Sequence, residues 1–160
     1  MTVTVIYGSD AGATQAVANR IAARLQGRSV DIKTASVADF ETASLLILGC
    51  PTYGLGDLQS DWDDHYHLLE EANLAGKRVA LFGTGDQFTY PDTFVDAMGI
   101  LYDTVVERGA TVIGFTDTGG YDFTASFAER DGRFVGLALD QDQQPGKTED
   151  RITNWIASLG

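Results

Sequence analysis

Short unbroken apolar runs alternate along this chain with stretches in which apolar residues recur every three or four positions. The runs at 3–7, 30–34, 45–50, 78–83 and 111–115 read as strands. The unbroken Leu45-Leu46-Ile47-Leu48 is typical of a strand covered on both faces. Between the runs the period changes. Val17, Ile21 and Leu25 fall four apart with Ala18 and Ala22 beside them, which predicts a helix over 13–26 that Gly27 ends. A polar, moderately helical stretch covers 59–72. Pro91 is placed to open the next helix, with Phe94, Ala97, Met98, Leu101 and Val105 inward and Gly109 closing it. In 148–159, Ile152, Trp155, Ile156 and Leu159 share one face. Strands alternating with helices predict an α/β fold, a single-domain doubly wound parallel sheet covered on both sides by right-handed crossovers.

One stretch breaks the alternation. About thirty residues separate Phe115 from the last helix, far more than a usual connection. They contain Gly119-Gly120-Tyr121-Asp122-Phe123 and then a strand-like run at 134–139. The simplest account is a fifth strand interrupted by an insertion and then resumed.

The net charge is −12 and the pI about 4.3. Such a surface repels nucleic acid and anionic membranes and suits docking onto a basic protein face. One cysteine, Cys50, excludes an internal disulfide, a cysteine-held iron–sulfur cluster and a cysteine-based zinc site, and reads as a buried inert thiol. Met1-Thr2-Val3-Thr4 is too short for a signal, and no apolar stretch could span a bilayer, so a cytoplasmic location is expected.

Ligands of open α/β sheets bind beyond the carboxyl ends of the strands, and three such ends are unusual here. After the first strand comes Tyr7-Gly8-Ser9-Asp10-Ala11-Gly12-Ala13-Thr14, which leads into a helix. Free backbone N–H groups and the helix dipole make that junction an anion seat, with Ser9 and Thr14 adding hydroxyls. The loop holds no Lys or Arg, so it is not a nucleoside-triphosphate loop. After the third strand comes Pro51-Thr52-Tyr53-Gly54-Leu55-Gly56-Asp57-Leu58, and after the fourth Thr84-Gly85-Asp86-Gln87-Phe88-Thr89-Tyr90. A flat heteroaromatic ring could stack between Tyr53 and Tyr90.

Taken together these stretches resemble the flavodoxins in their long-chain form. The loop at 7–14 is similar to their phosphate loop for flavin mononucleotide (FMN). The segment 51–62 resembles their inner-face loop, and 83–90 their outer-face loop. Asp96-Ala97-Met98-Gly99, Gly120-Tyr121-Asp122-Phe123, Phe134-Val135-Gly136-Leu137-Ala138 and Asp140-Gln141-Asp142 extend the resemblance end to end. It implies a flavodoxin-like three-layer fold of five parallel strands in the order 2-1-3-4-5, the last one split by the insertion. It also implies that Ser9, Asp10, Ala11, Gly12, Ala13 and Thr14 surround the phosphate. Tyr90 would stack on the outer face of the isoalloxazine and Tyr53 on the inner face, where many members have Trp or Leu. Pro51, Thr52, Gly54, Leu55, Gly56, Thr84 and Gly85 complete the ring's surroundings. Asp86 would approach the pyrimidine edge and Asp142 the ribityl hydroxyls, with Gln87 nearby.

The function implied is low-potential one-electron transfer by non-covalent FMN, cycling mainly between semiquinone and hydroquinone, with no catalytic residue or metal. A backbone carbonyl turned toward the ring's N5 would stabilise the semiquinone by roughly 1 kcal/mol. Glycine suits the Gly54-Leu55 peptide to such a flip. Between 52 and 107 lie eleven Asp or Glu against Lys77 and Arg78 only, a charge that would disfavour the hydroquinone anion and steer basic partners. Asp57, Asp61, Asp63 and Asp64 lead that group. The partners implied are basic-faced redox proteins: a flavodoxin/ferredoxin-NADP reductase as donor and acceptor enzymes, nitrogenase reductase among the candidates. The chain is expected to be a monomer.

The alternative is an FMN-dependent quinone or azo reductase on the same fold, which needs a substrate pocket where Tyr90 would cover the ring. A phospho-receiver fails for want of an Asp cluster at the first and third strand ends. A Rossmann dinucleotide site fails for want of G-x-G-x-x-G. His65 and His67, two apart on a helix, do not converge on a metal.

Overall fold

The structure is a computed structural model that describes residues 2–53 and 55–159, with the side chain of Tyr53 outside the description. The first strand, β1 (Val3–Tyr7), is buried along its whole length. Gly12 caps α1 (Ala13–Arg24), which buries Val17, Ala18, Ile21 and Ala22 against the sheet. That helix closes before 26, because Gln26 adopts a positive φ of 54° and the Gly27 N–H donates back to the Ala22 carbonyl at 2.8 Å. β2 (Arg28–Asp31) therefore starts and stops earlier than the sequence pattern suggests. The Asp31 carboxylate accepts the Lys33 N–H and turns 32–34 into a short 3-10 helix that buries Ile32. Next comes a helix the apolar rhythm does not announce, α2 (Val37–Glu41), fixed by a capping box between Ser36 and Asp39 and anchored by buried Phe40.

β3 (Leu45–Tyr53) runs past Cys50, and its end pairs antiparallel with β4 (Asp57–Leu58), so the segment read as a loop is a hairpin. The Gln59 side chain accepts the Trp62 N–H and opens α3 (Ser60–Glu71). β5 (Arg78–Thr84) follows. α4 (Asp96–Glu107) begins only at Asp96, which corrects the start at Pro91. The Pro91 carbonyl instead accepts N–H groups from Thr124 and Ala125, and Val95 takes a left-handed φ of 49° that no continuing helix allows.

β6 (Thr111–Ile113) pairs with the first half of β5 and β10 (Leu137–Leu139) with its second half, both parallel. Between them the chain forms a separate antiparallel sheet of β7 (Thr116–Asp117), β8 (Glu129–Arg130) and β9 (Arg133–Phe134). The run at 134–139 is thus two strands in two sheets, not one. Their junction needs glycine, because a Cβ on Gly136 would lie 2.1 Å from the Leu81 carbonyl oxygen. α5 (Thr148–Leu159) ends the chain.

The parallel sheet runs β10-β5-β3-β1-β2, with β4 against β3 and β6 against β5. Alternate β3 residues enter opposite cores, as the period of a strand requires. Leu46 and Leu48 pack with Phe40, Trp62, Leu69, Met98 and Leu101, while Leu45 and Ile47 pack with Val17, Ile21, Ile152 and Trp155. No helix among the described residues is long and apolar enough to cross a membrane.

Candidate functional site

The carboxyl ends of β1, β3, β5 and β10 meet at one edge of the sheet. At the first, the Gly8 N–H donates to the Gly49 carbonyl at 3.2 Å, and the same carbonyl accepts the Trp62 indole N–H at 2.8 Å. A Cβ on Gly8 would lie 2.2 Å from Gln59 Oε1 and 2.6 Å from Trp62 Cδ1, so only glycine lets the chain pass. Gly12, at φ 89°, then reverses the backbone, and its N–H donates to Ser9 Oγ at 3.0 Å. The turn leaves the first N–H groups of α1 without partners inside the helix. No acidic residue stands in that first turn to compete for them. Thr14 Oγ1 lies 3.1 Å from Thr84 Oγ1, a buried pair that joins the first loop to the end of β5.

The hairpin after β3 contributes Pro51 and Thr52. The Thr52 hydroxyl accepts the Ala97 N–H at 2.9 Å, which ties the hairpin to the start of α4. Leu55, near the hairpin's tip, is 89 % exposed. Gly56 has φ 96° and packs close on the Asp96 carboxylate, with a Cβ there falling 2.7 Å from Oδ2. Gly54 and the side chain of Tyr53, on which the inner-face stack and the peptide flip depend, lie outside the described residues.

The loop after β5 is organised by two carboxylates. Asp86 accepts N–H groups from Phe88 and Thr89, the Thr89 hydroxyl and the Gln143 amide. Burial pushes its carboxyl up, but these hydrogen bonds, Thr89's foremost, outweigh it and hold the group below the usual carboxylate range. Asp140 is fully buried and accepts N–H groups from Gln87, Asp142 and Gln143.

The resulting cleft encloses about 260 Å³. Ser9, Ala11, Ala13 and Thr14 line one end and Pro51 and Thr52 one side. Thr84, Gly85, Asp86 and Tyr90 line the other side, and Asp142 closes the rim. Asp10, Gly12, Leu55, Gly56 and Gln87 stand outside this lining. Asp10 is turned to Gln59, whose Nε2 donates to it at 2.7 Å. Gln87 is buried and accepts the Asp122 N–H, so it joins the loop to the inserted segment. Gln141 also lines the cleft. Sequence reasoning missed it, although its position between Asp140 and Asp142 was the available signal. No lining residue is Lys or Arg.

Outside the cleft, the His65 and His67 rings stack 6.4 Å apart on α3, and no group of three metal-binding side chains converges among the described residues. Burial raises the Cys50 thiol to about 12, which leaves it an unreactive thiol.

A doubly wound parallel sheet with one uncharged-donor cleft at its carboxyl edge defines an α/β ligand-carrying domain. Comparison with known proteins makes this specific. The flavodoxin family model matches residues 5–155, and the chain belongs to the flavodoxin family. Flavodoxins are electron-transfer flavoproteins rather than enzymes. The flavodoxin of Synechocystis sp. is 46 % identical over 97 % of this chain and 94 % of its own length. Flavodoxin 1 of Escherichia coli is 43 % identical over 97 % and 90 %. The crystal structure of Fusobacterium nucleatum flavodoxin bound to flavin mononucleotide superposes with a TM-score of 0.93 at 34 % identity, covering 99 % of this chain and 96 % of that one.

Proposed function

We propose that this chain carries single electrons at low potential on FMN held non-covalently in the cleft, passing them from a reductase to acceptor enzymes. The observation that carries this reading is the lining itself: hydroxyls and helix N–H groups at one end, Tyr90 along one side, and no Lys or Arg among them. A monophosphate at the start of α1 would take donors from the Ser9 and Thr14 hydroxyls and the backbone N–H groups of Ala13 and Thr14, at the positive end of the helix dipole. The bound ring supplies the redox chemistry, one electron at a time.

The chain's residues set the terms. Tyr90 would cover the outer face of the ring and Tyr53 the inner face, and the peptide at Gly54 would supply the carbonyl that meets N5. Asp86 acts through the loop shape it holds, since its carboxylate is already engaged by Phe88, Thr89 and Gln143. Asp142, on the cleft lining, would approach the ribityl hydroxyls.

Partner choice follows from the surface. Asp57, Asp63 and Asp64 are exposed beside the hairpin, and Leu55, Phe88 and Tyr90 form an apolar rim, Phe88 79 % and Tyr90 43 % exposed. An apolar centre ringed by carboxylates fits a basic-faced reductase of the flavodoxin/ferredoxin-NADP type and acceptors of similar charge, nitrogenase reductase among them. The protein acts as a cytoplasmic monomer.

Titration of flavin-free protein with FMN and with riboflavin tests the phosphate seat. FMN binds about a hundredfold more tightly, the phosphate adding charge-assisted hydrogen bonds. Equal affinities would remove the loop at 8–14 from the site. Sustained NADPH–quinone turnover by the purified protein alone would instead place it with the flavin-dependent quinone or azo reductases.

A further inference from the structure

Asp10 is the one charged residue in the loop at 7–14, and it stands between Ser9 and Ala11, which both line the cleft. The lining offers a phosphate no Lys or Arg, so a carboxylate left free at this point would meet the phosphate's charge without compensation. The fold engages it instead. Asp10 Oδ1 accepts Gln59 Nε2 at 2.7 Å. Gln59 is wholly buried, and the same nitrogen donates to Asp61 Oδ2 at 2.9 Å. Its Oε1 accepts the Trp62 N–H at 3.2 Å, at the opening of α3. These partners fix the amide's orientation, since only its nitrogen can serve two carboxylates and only its oxygen an N–H. The Gly8 backbone packs directly on the amide, a Cβ there lying 2.2 Å from Oε1.

We infer that Gln59 is a positioning residue for the phosphate: it stands outside the cleft lining and acts through Asp10, whose carboxylate it holds off the seat. Capping α3 does not call for this residue. Ser, Thr, Asp or Asn caps a helix through one oxygen and needs no donor. The two N–H groups of the glutamine are what the carboxylates use. Asp61, in the first turn of α3, anchors the amide from the helix side, and Asp10 is tied to it from the loop side. A seat built from neutral donors has no cation to mask a stray carboxylate, so this tie matters more here than it would beside a lysine. The inference rests on the phosphate seat described under the proposed function.

Three variants test it, each titrated as flavin-free protein with FMN and with riboflavin. Gln59→Glu keeps the side-chain length and the oxygen that takes the Trp62 N–H, but loses both donors. FMN affinity falls about tenfold, the scale of one charge-assisted contact, while riboflavin, which has no phosphate, changes by less than about twofold. Adding Asp10→Asn reverses donor and acceptor across the 2.7 Å contact and restores FMN affinity to within about threefold of the unaltered protein. Adding Asp61→Asn instead removes the same charge but leaves Asp10 facing a carboxylate, and FMN affinity stays low. Should Gln59→Glu lower the melting temperature, the two double variants, which share it, decide against each other. Equal rescue by Asp10→Asn and Asp61→Asn would reduce the effect to net charge, and equal losses for FMN and riboflavin would reduce it to the fold. Either result overturns the inference. An unaltered protein that binds FMN and riboflavin equally would strike the phosphate seat itself, whatever the variants do.

Discussion

The buried carboxylate of Asp140 accepts the Gln87 backbone N–H at 2.9 Å, and this bond joins the loop after β5 to the loop after β10. The same carboxylate takes the N–H groups of Asp142 and Gln143. Both loops of the outer cleft wall therefore bond to this one buried acceptor, with the Gln143 amide on Asp86 as a second link between them. Asp140→Asn replaces an acceptor with a donor facing buried N–H groups. It should cost about 2 kcal/mol of stability in chemical denaturation and weaken flavin binding with it. Unchanged flavin affinity would mean that the wall is held by other contacts.

Gly8 and Gly12 separate two uses of glycine in one loop. Gly8→Ala drives a methyl into Gln59 and Trp62, so the loop must move and flavin affinity should fall about tenfold or more. Gly12→Ala meets no atom within 4 Å and pays only for a positive φ, about 1 kcal/mol of stability, with the smaller loss of affinity. Isothermal titration with FMN ranks the two, and a reversed ranking would contradict the packing at Gly8.

Tyr90→Ala removes the outer plate. Flavin affinity should drop about tenfold, in keeping with 1–3 kcal/mol for an aromatic stacked on a base, while the melting temperature of the flavin-free protein stays nearly unchanged because Tyr90 is part-exposed. Fluorescence titration measures the first and calorimetry the second. Unchanged affinity would remove Tyr90 from the ring contact.

Two carboxylates give stability opposite dependences on pH. Burial raises the Asp96 carboxyl, only partly offset by the Phe127 N–H it accepts. Its stabilising contribution is complete below about pH 4, the unfolded value, and is lost as pH rises through the folded one. Asp96→Asn keeps the acceptor oxygen and abolishes that loss, so it should be at least as stable as the parent at neutral pH, with the advantage shrinking on acidification. Asp86 is the reverse case. Its carboxyl is lowered, so its contribution is present above about pH 4 and disappears as pH falls through the folded value. Asp86→Asn should be the less stable protein at neutral pH and approach the parent in acid. Urea melts across pH check both signs.

Much of this was legible in the residues. The alternation of Val3–Tyr7, Leu45-Leu46-Ile47-Leu48 and the helical periods marks a parallel sheet because a strand buried on both faces reads as a nearly continuous apolar run, Thr4 being the one polar residue in the first. Eleven of the eighteen candidate site residues line one cleft, since strand ends at one sheet edge converge whatever the loop details. What stayed hidden depended on tertiary contacts. α2 spans barely more than a turn and rests on Phe40 and the Ser36–Asp39 box. Pro91 could have opened a helix, but its carbonyl is claimed by Thr124 and Ala125 from the distant insertion. The break at Gly136 is visible only once Leu81 lies beside it. Gln87 and Asp10 have polar side chains suited to a ligand, yet Asp122 and Gln59 engage them.

One-electron transport on FMN is read out by anaerobic dithionite titration of the purified protein followed by absorption. The purified protein should be yellow and pass through a long-wavelength-absorbing one-electron-reduced form before bleaching. A colourless protein that takes up no FMN, or bleaching in a single two-electron step without that form, would contradict it.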